Sequence, residues 1–275
     1  MAKPFSGRTS ESLTRLEKLR SRLNDLADQL GDVGFSVTVD VRTGEPLAEV
    51  VKAVEAMGPD VVFVGSRGHT RIRDAFIGSV AWDVVGRVGR PVLLQRIEPN
   101  QEDDAALESR ESGLPKHVVY PTDFSDAAKR ALPWLRALVR DGGPFLTLLH
   151  VTPTEFKEGM SSAETRLEEL AQELREEGAT EVACRVRTGI PYQEILDAGG
   201  NREDALVVMG THGRGFFPGA VLGSVGRQVV RQAGARVLLV PGELPEARAA
   251  RRRAEMAAEL EAAGLGDMKG TVRLS

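Results

Sequence analysis

Residues 205–225 read ALVVMGTHGRGFFPGAVLGSV, an apolar run followed by a glycine-rich loop and the start of a helix. The glycines follow the spacing Gly-x2-Gly-x9-Gly-Ser, at Gly210, Gly213, Gly223 and Ser224. Residues 60–80 read DVVFVGSRGHTRIRDAFIGSV and repeat the same spacing at Gly65, Gly68, Gly78 and Ser79. A short apolar run that ends in glycine is typical of a parallel strand buried on both faces, so the stretch predicts an α/β fold.

The two loops belong to a longer internal repeat. Residues 41–96 align with residues 186–241 without a gap, and 20 of the 56 aligned positions are identical. Self-similarity on this scale indicates a duplicated structural unit with a shared backbone. The length of 275 residues also agrees with two globular domains.

Each unit alternates predicted helices and strands. Leucines spaced three and four apart over residues 13–30 predict a helix with one apolar face, and alternating valines over residues 35–41 predict a half-buried strand. The remaining elements of the first unit are helices at 45–57 and 79–88 and strands at 60–65 and 91–95. The second unit repeats this pattern behind two additional strands, at 117–120 and 145–151, with a helix between them. The first unit therefore lacks its first two strands.

This reading predicts four segments along the chain. They are a truncated repeat over 1–98, an acidic linker over 99–114, a complete repeat over 115–243 and a charged helical tail over 244–275.

Composition excludes several classes of protein. Lys and Arg total 36 against 40 Asp and Glu, and a net charge of −4 disfavours a dedicated nucleic-acid binder. The one cysteine, Cys184, excludes an intrachain disulfide framework and a multi-cysteine metal site. No apolar run is long enough to span a membrane, and the first residues lack the apolar core of a signal peptide. We therefore expect a cytoplasmic protein.

The glycine loops have a functional and a structural interpretation. Glycine at the end of a strand lets backbone N–H groups approach a ligand, and a helix that begins at Gly223 directs its positive dipole end at the same point. Ser224 could bond a phosphate oxygen or cap the helix. The same glycines could instead be simple turn residues, which a duplication would copy as readily. Neither a Walker A sequence nor a Rossmann Gly-x-Gly-x-x-Gly is present.

On these residues the chain resembles the universal stress protein family in its tandem form, over about residues 10–98 and 115–241. The glycine spacing is similar to the ATP-binding signature of that family. Pro121-Thr122-Asp123-Phe124-Ser125 and Leu148-Leu149-His150-Val151 resemble the first two strand motifs. The resemblance implies a flavodoxin-like sheet (Rossmann-like, adenine nucleotide alpha-hydrolase-like) of strand order 3-2-1-4-5. It also implies that the two repeats pair through their last strands, near 92–96 and 237–241.

The resemblance further implies a nucleotide site in the second repeat. Thr122 and Asp123 would contact the ribose or adenine side, and Val151 and Met209 would line the adenine. The ribose and phosphates would be held by Gly210, Gly213, Gly223, Ser224 and Val225. Arg214 could reach a phosphate or be a solvated surface residue. The first repeat has no counterpart of Asp123 or Val151, so Gly65, Gly68, Gly78 and Ser79 form at most a weak second site.

These expectations combine into a function. The chain is interpreted as an adenine nucleotide-binding (ATP, ADP or AMP) stress-response protein, in which the nucleotide shifts a conformational or partner-binding equilibrium. The expected partners are the nucleotide, the intrachain pseudo-dimer, a homodimer and an unidentified protein. The alternatives are an interaction module that binds no nucleotide and a slow ATP hydrolase with Mg²⁺ carried by the nucleotide. No dedicated metal site, catalytic base or nucleophile is evident, so the chain is not assigned as an enzyme.

Overall fold

A computed structural model describes residues 7–65, 78–95, 114–140, 143–152, 160–212 and 222–242. The chain divides into two compact units, Met1–Lys52 and Ala53–Ser275. The predicted linker and tail lie almost entirely outside the described residues, so the four predicted segment boundaries remain predictions. None of the described helices is both long and apolar enough to cross a membrane.

Helices and strands mostly alternate as the repeat predicts, but no strand separates the first two helices. The first repeat contains α1 (Gly7–Asp32), α2 (Pro46–Met57), β1 (Val62–Gly65), α3 (Ser79–Arg87) and β2 (Val92–Gln95). The second contains β3 (His117–Pro121), α4 (Asp126–Lys129), α5 (Leu132–Val139), β4 (Phe145–Thr152), α6 (Met160–Glu176), β5 (Val182–Thr188), α7 (Pro191–Ile195), a π-helical turn (Leu196–Gly200), β6 (Ala205–Gly210), α8 (Ser224–Gln232) and β7 (Arg236–Val240).

Seven strands form one sheet in the order β1-β2-β7-β6-β3-β4-β5. Within the second repeat this is the expected order 3-2-1-4-5, and all its neighbouring strands are parallel. The two repeats meet where β2 and β7 pair antiparallel, with Leu93 opposite Leu238. The expected pairing of the last strands is therefore confirmed, and the strand direction reverses at that seam.

The core lies mainly in the second repeat. On one face, Val118 and Tyr120 of β3 pack with Leu135 of α5 and Leu167 of α6 in a buried cluster. Successive strand residues point to opposite faces, so Val119 faces the π-helical turn, where a Cβ on Gly199 would lie 3.1 Å from it.

The predicted strand at 35–41 is wrong. Residues 35–43 form no strand, and Phe35 and Val37 are exposed. In the order 3-2-1-4-5 the third strand bonds only to the second, which the first repeat lacks, so the segment has no ladder partner. The first repeat therefore has two described strands rather than three.

The apolar face of α1 is likewise not buried. Leu19, Leu26 and Leu30 are all exposed, and the described residues 7–52 contain no strand. The helix itself is confirmed, which shows that the leucine spacing predicts the helix without predicting its packing partner.

His117 is a buried titratable group at the amino end of β3. Its Nε2 lies 2.9 Å from Thr147 Oγ1, and its Nδ1 has no hydrogen-bond partner among the described residues. A Cβ on Gly199 would lie 2.5 Å from the His117 Cε1 atom, so glycine is required there. Burial, then the nearby charges of Arg202 and Arg185, lowers the pKa of His117 from 6.5, against an opposing effect of Asp204.

We expect acid to destabilise the fold through His117. Because the pKa is lower in the folded than in the unfolded state, stability is retained above about pH 6.5 and lost as the pH falls toward the folded-state pKa. As the pH falls from about 7.5 to about 5, the free energy of unfolding measured by urea denaturation should decrease less for His117→Gln than for the parent. Equal slopes in the two proteins would contradict this assignment.

Candidate functional site

Three parallel strands bring the predicted site residues to one edge of the sheet. β3 lies between β4 and β6 and runs in the same direction as both, so their carboxyl ends share an edge. Thr122 and Asp123 follow β3, and Val151 is the penultimate residue of β4. Met209 and Gly210 close β6. In open parallel sheets this edge is where ligands bind.

Asp123 organises the turn between β3 and α4. Its Oδ1 accepts a hydrogen bond from the Ser125 backbone N–H at 3.0 Å and one from the Ser125 hydroxyl at 2.6 Å. The Ser125 Oγ in turn accepts a bond from the Ala128 N–H at 3.2 Å and so caps α4. These bonds fix the carboxylate at the edge of the sheet.

Phe124 lies inside this turn with φ of 62°, the only described non-glycine residue in the left-handed region. Its N–H donates to Thr122 Oγ1 at 3.0 Å. Its ring stacks on His150 at a centroid distance of 4.8 Å, and the Arg166 guanidinium carbon lies 4.0 Å from the ring centroid. A side chain adopts this backbone conformation only where surrounding contacts compensate for it, as these contacts do.

His150 ties β4 to the same turn. Its Nδ1 lies 2.8 Å from the Thr122 carbonyl oxygen, which only accepts, so Nδ1 carries the proton and donates. The Thr122 N–H donates to the Leu149 carbonyl at 2.8 Å. The backbone before Asp123 is therefore held from both directions.

Sequence patterns assign no individual role to Ser125, Phe124, His150 or Arg166. Asp-x-Ser before a helix is a signal for an Asx turn with a serine cap, and it could have identified Ser125. No local pattern predicts the left-handed backbone of Phe124 or the approach of Arg166, because both depend on tertiary contacts.

The two described glycines of the second loop differ in the space that a Cβ atom would have. A Cβ on Gly210 would lie 2.8 Å from the Ala127 carbonyl oxygen, so the approach of β6 to α4 requires glycine there. A Cβ on Gly223 would lie 3.4 Å from the Thr211 carbonyl oxygen, an ordinary contact, at φ of −61°. Packing among the described residues therefore explains Gly210 but gives no reason for glycine at position 223.

Gly223 is also the N-cap of α8 and, as a glycine, supplies no side-chain cap. Its own N–H donates to the Thr211 carbonyl at 2.8 Å, which anchors the start of α8 beside the end of β6. Ser224 is the first helical residue and is exposed, and Val225 is half-buried. The alternative that Ser224 caps the helix is not observed, because the cap position belongs to Gly223.

The first repeat reproduces only part of this geometry. Gly65 ends β1, and Gly78 is the N-cap of α3 with φ of −68° and no side-chain cap, followed by exposed Ser79. No described strand beside β1 supplies a counterpart of Asp123 or Val151. The predicted residues Gly68, Gly213 and Arg214 lie outside the described residues.

Two other kinds of site find no support in the described part of the chain. It contains no group of three or more His, Cys, Asp or Glu placed to hold a metal ion. Cys184 is half-buried, and burial together with Glu168 raises the pKa of its thiol to about 12. A thiol with that pKa stays protonated near neutral pH and is a poor nucleophile.

Comparison with known proteins identifies the family of the chain. The model of the universal stress protein family matches residues 2–96 and 115–241, which is most of the chain. The chain belongs to the universal stress protein family. The two separate matches agree with the tandem repeat found in the sequence.

Relatives of the chain carry the same family name. A universal stress protein of Methanocaldococcus jannaschii is 32% identical over 90 residues, which cover 33% of this chain and 54% of the relative. The match thus spans about half of that relative's length. One of Mycolicibacterium smegmatis is 27% identical over 226 residues, covering 78% of this chain and 72% of the relative.

A solved universal stress protein from Archaeoglobus fulgidus shares the fold. It superposes with a TM-score of 0.60 at 22% identity, covering 88% of this chain and 81% of that one. At this identity the likeness concerns the fold alone.

Two serines offer a matched test of the helix caps at this edge. We expect Ser125→Ala to lower the free energy of unfolding by about 1 kcal/mol, because it removes the cap of α4 and a partner of Asp123. Ser224→Ala should leave stability almost unchanged, because Ser224 caps nothing. Urea denaturation of both variants measures the difference, and equal losses would show that the two serines have the same structural role.

Proposed function

We propose that the second repeat of this universal stress protein binds an adenine nucleotide at the carboxyl edge of β3, β4 and β6. The observation that carries the proposal is the start of α8 at Gly223, a glycine N-cap that no packing contact among the described residues requires to be glycine. A helix N-terminus offers unpaired N–H groups and a positive dipole end, both of which favour phosphate. A residue without a Cβ lets a phosphate come close to that backbone.

The remaining groups at this edge suit the other parts of a nucleotide. Val151 is half-buried and Met209 is buried, and both offer apolar surface for a purine ring. The Asp123 carboxylate is a hydrogen-bond acceptor for ribose hydroxyls, and its turn is already fixed before any ligand arrives. A preorganised turn of this kind lowers the entropic cost of binding.

Nucleotide binding would act as a signal through its effect on the β3–α4 turn. A ligand shifts a conformational equilibrium only if it binds one state better than the other. The strained backbone at Phe124 is a candidate for such a two-state element, because its contacts with His150 and Arg166 hold a conformation of higher energy. The protein would then report adenine nucleotide levels to an unidentified partner.

Aligned glycines in the two loops provide a matched test of the proposed site. We expect Gly213→Val to abolish ATP binding in isothermal titration calorimetry, because its side chain would occupy the path of the phosphates. Gly68→Val, at the aligned position of the first repeat, should leave the main affinity unchanged. Circular dichroism and urea denaturation check that both variants fold.

Two results would contradict the proposal. One is equal ATP affinity in Gly213→Val and the parent. The other is the absence of any ATP binding by the folded parent, together with mass spectra that show no adenine nucleotide copurifying with it. Loss of binding in Gly68→Val alone would place the site in the first repeat instead.

A further inference from the structure

A cavity lies at the amino edge of the sheet in the second repeat, at the other end of β3 from the proposed nucleotide site. Its volume is about 660 Å³, which is in the range of small-molecule sites. His117, the first residue of β3, and Gly199 of the π-helical turn lie side by side in its wall. All the residues that line it belong to the described part of the chain and to the unit Ala53–Ser275.

Cationic side chains surround this cavity. Lys116 precedes β3, Arg185 lies in β5 and Arg202 follows the π-helical turn, and all three are exposed residues of its lining. Asp197 also lines the cavity, and Asp204 pairs with Arg202 through hydrogen bonds of 2.9 and 2.8 Å. Three cations thus stand against two carboxylates here, whereas the whole chain has a net charge of −4. The cavity therefore concentrates positive charge on an acidic protein.

Arg185 is the cation best placed to bind a ligand in this cavity. Arg202 is already held by Asp204, whereas the Arg185 side chain makes no hydrogen bond or ion pair among the described residues. The charge of Arg185 nevertheless reaches the cavity wall. Burial lowers the pKa of His117 most, and the charges of Arg202 and Arg185 lower it further. An anion bound beside Arg185 would offset this unfavourable charge.

His117 also leaves a buried polar atom without a partner in the cavity wall. The residue is 7% exposed, and its Nδ1 has no hydrogen-bond partner among the described residues. A Cβ on Gly199 would lie 2.6 Å from Nδ1, so glycine keeps side-chain atoms away from this nitrogen. Buried polar atoms in native proteins nearly always have a partner, and an exception can mark a bound water, ion or ligand. The nitrogen is thus a sign of a polar ligand that does not depend on the cation count.

We propose that this cavity binds a small organic phosphate through Arg185, Lys116 and Arg202, at a site separate from the nucleotide edge. Guanidinium groups donate paired hydrogen bonds to phosphate oxygens, and three cationic groups suit the charge of a phosphate better than that of a single carboxylate. The Phe145 ring and the Leu196 side chain offer apolar surface to the body of the ligand.

An NMR titration of the His117 imidazole tests this site with phenyl phosphate as the probe. Phosphate bound beside Arg185 would offset the positive charge near the imidazole, so the pKa of His117 should rise when phenyl phosphate is added. Phenyl phosphate should bind about tenfold more tightly than inorganic phosphate, because only its ring reaches the apolar wall. The charged groups around this imidazole are Lys116, Arg185, Asp197, Arg202 and Asp204.

Matched arginine variants assign the effect to the cavity. Arg185→Gln should weaken phenyl phosphate binding by about tenfold or more and abolish the rise in the His117 pKa, because it removes the unpaired cation. Arg231→Gln, at an exposed arginine of α8 outside the cavity, should change neither. Gly213→Val should also change neither, because it alters only the loop of the proposed nucleotide site.

Three results would overturn the proposal. One is a His117 pKa that does not respond to phenyl phosphate in the parent. Another is an equal response in Arg185→Gln and Arg231→Gln, which would mean that the phosphate does not lie beside Arg185. The third is loss of phenyl phosphate binding in Gly213→Val, which would place the phosphate at the nucleotide edge. Circular dichroism checks that all three variants fold.

Discussion

The parallel ladder between β3 and β6 is the interaction on which the candidate site depends. It pairs Val118 with Leu206 and Val119 with Val207. In the second repeat it places the Asp123 turn beside the end of β6, where Gly210 allows α4 to approach. In the first repeat the described sheet has no counterpart of β3, and the same sheet position ends in exposed Phe63. Among the described residues, the first repeat therefore lacks one wall of the corresponding site.

The sequence predicts most elements correctly because their periodicity is local. The buried strands and the helix starts after Gly78 and Gly223 are confirmed. The strand order of the second repeat, which the family resemblance implies, is also confirmed. The strand predicted at 35–41 fails for a physical reason: alternation shows that a segment suits a half-buried strand, but it does not show that a neighbour exists. Local sequence patterns also do not predict the contact between Phe124 and Arg166, because α6 brings Arg166 to the turn from a distant part of the chain.

The glycines of the signature also differ in their packing, and their spacing alone does not predict this difference. Duplication copies a structural turn as faithfully as a binding loop, so two copies of the spacing do not separate these interpretations. Packing separates them for the two described glycines of the second loop. Gly210 is required by the Ala127 carbonyl, whereas Gly223 would tolerate a Cβ. A family signature can thus mix glycines that described packing requires with glycines that it does not.

The antiparallel pairing of β2 with β7 determines from which end of the sheet each glycine loop starts. β1 runs parallel to β2, β6 runs parallel to β7, and β2 and β7 run in opposite directions. The carboxyl end of β1 therefore lies at the opposite edge of the sheet from the carboxyl end of β6. The loops that start at Gly65 and Gly210 consequently leave from opposite edges and do not converge on one ligand from their strand ends. Each loop depends on the strands of its own repeat, and only the second repeat has β3 and β4 to complete the edge.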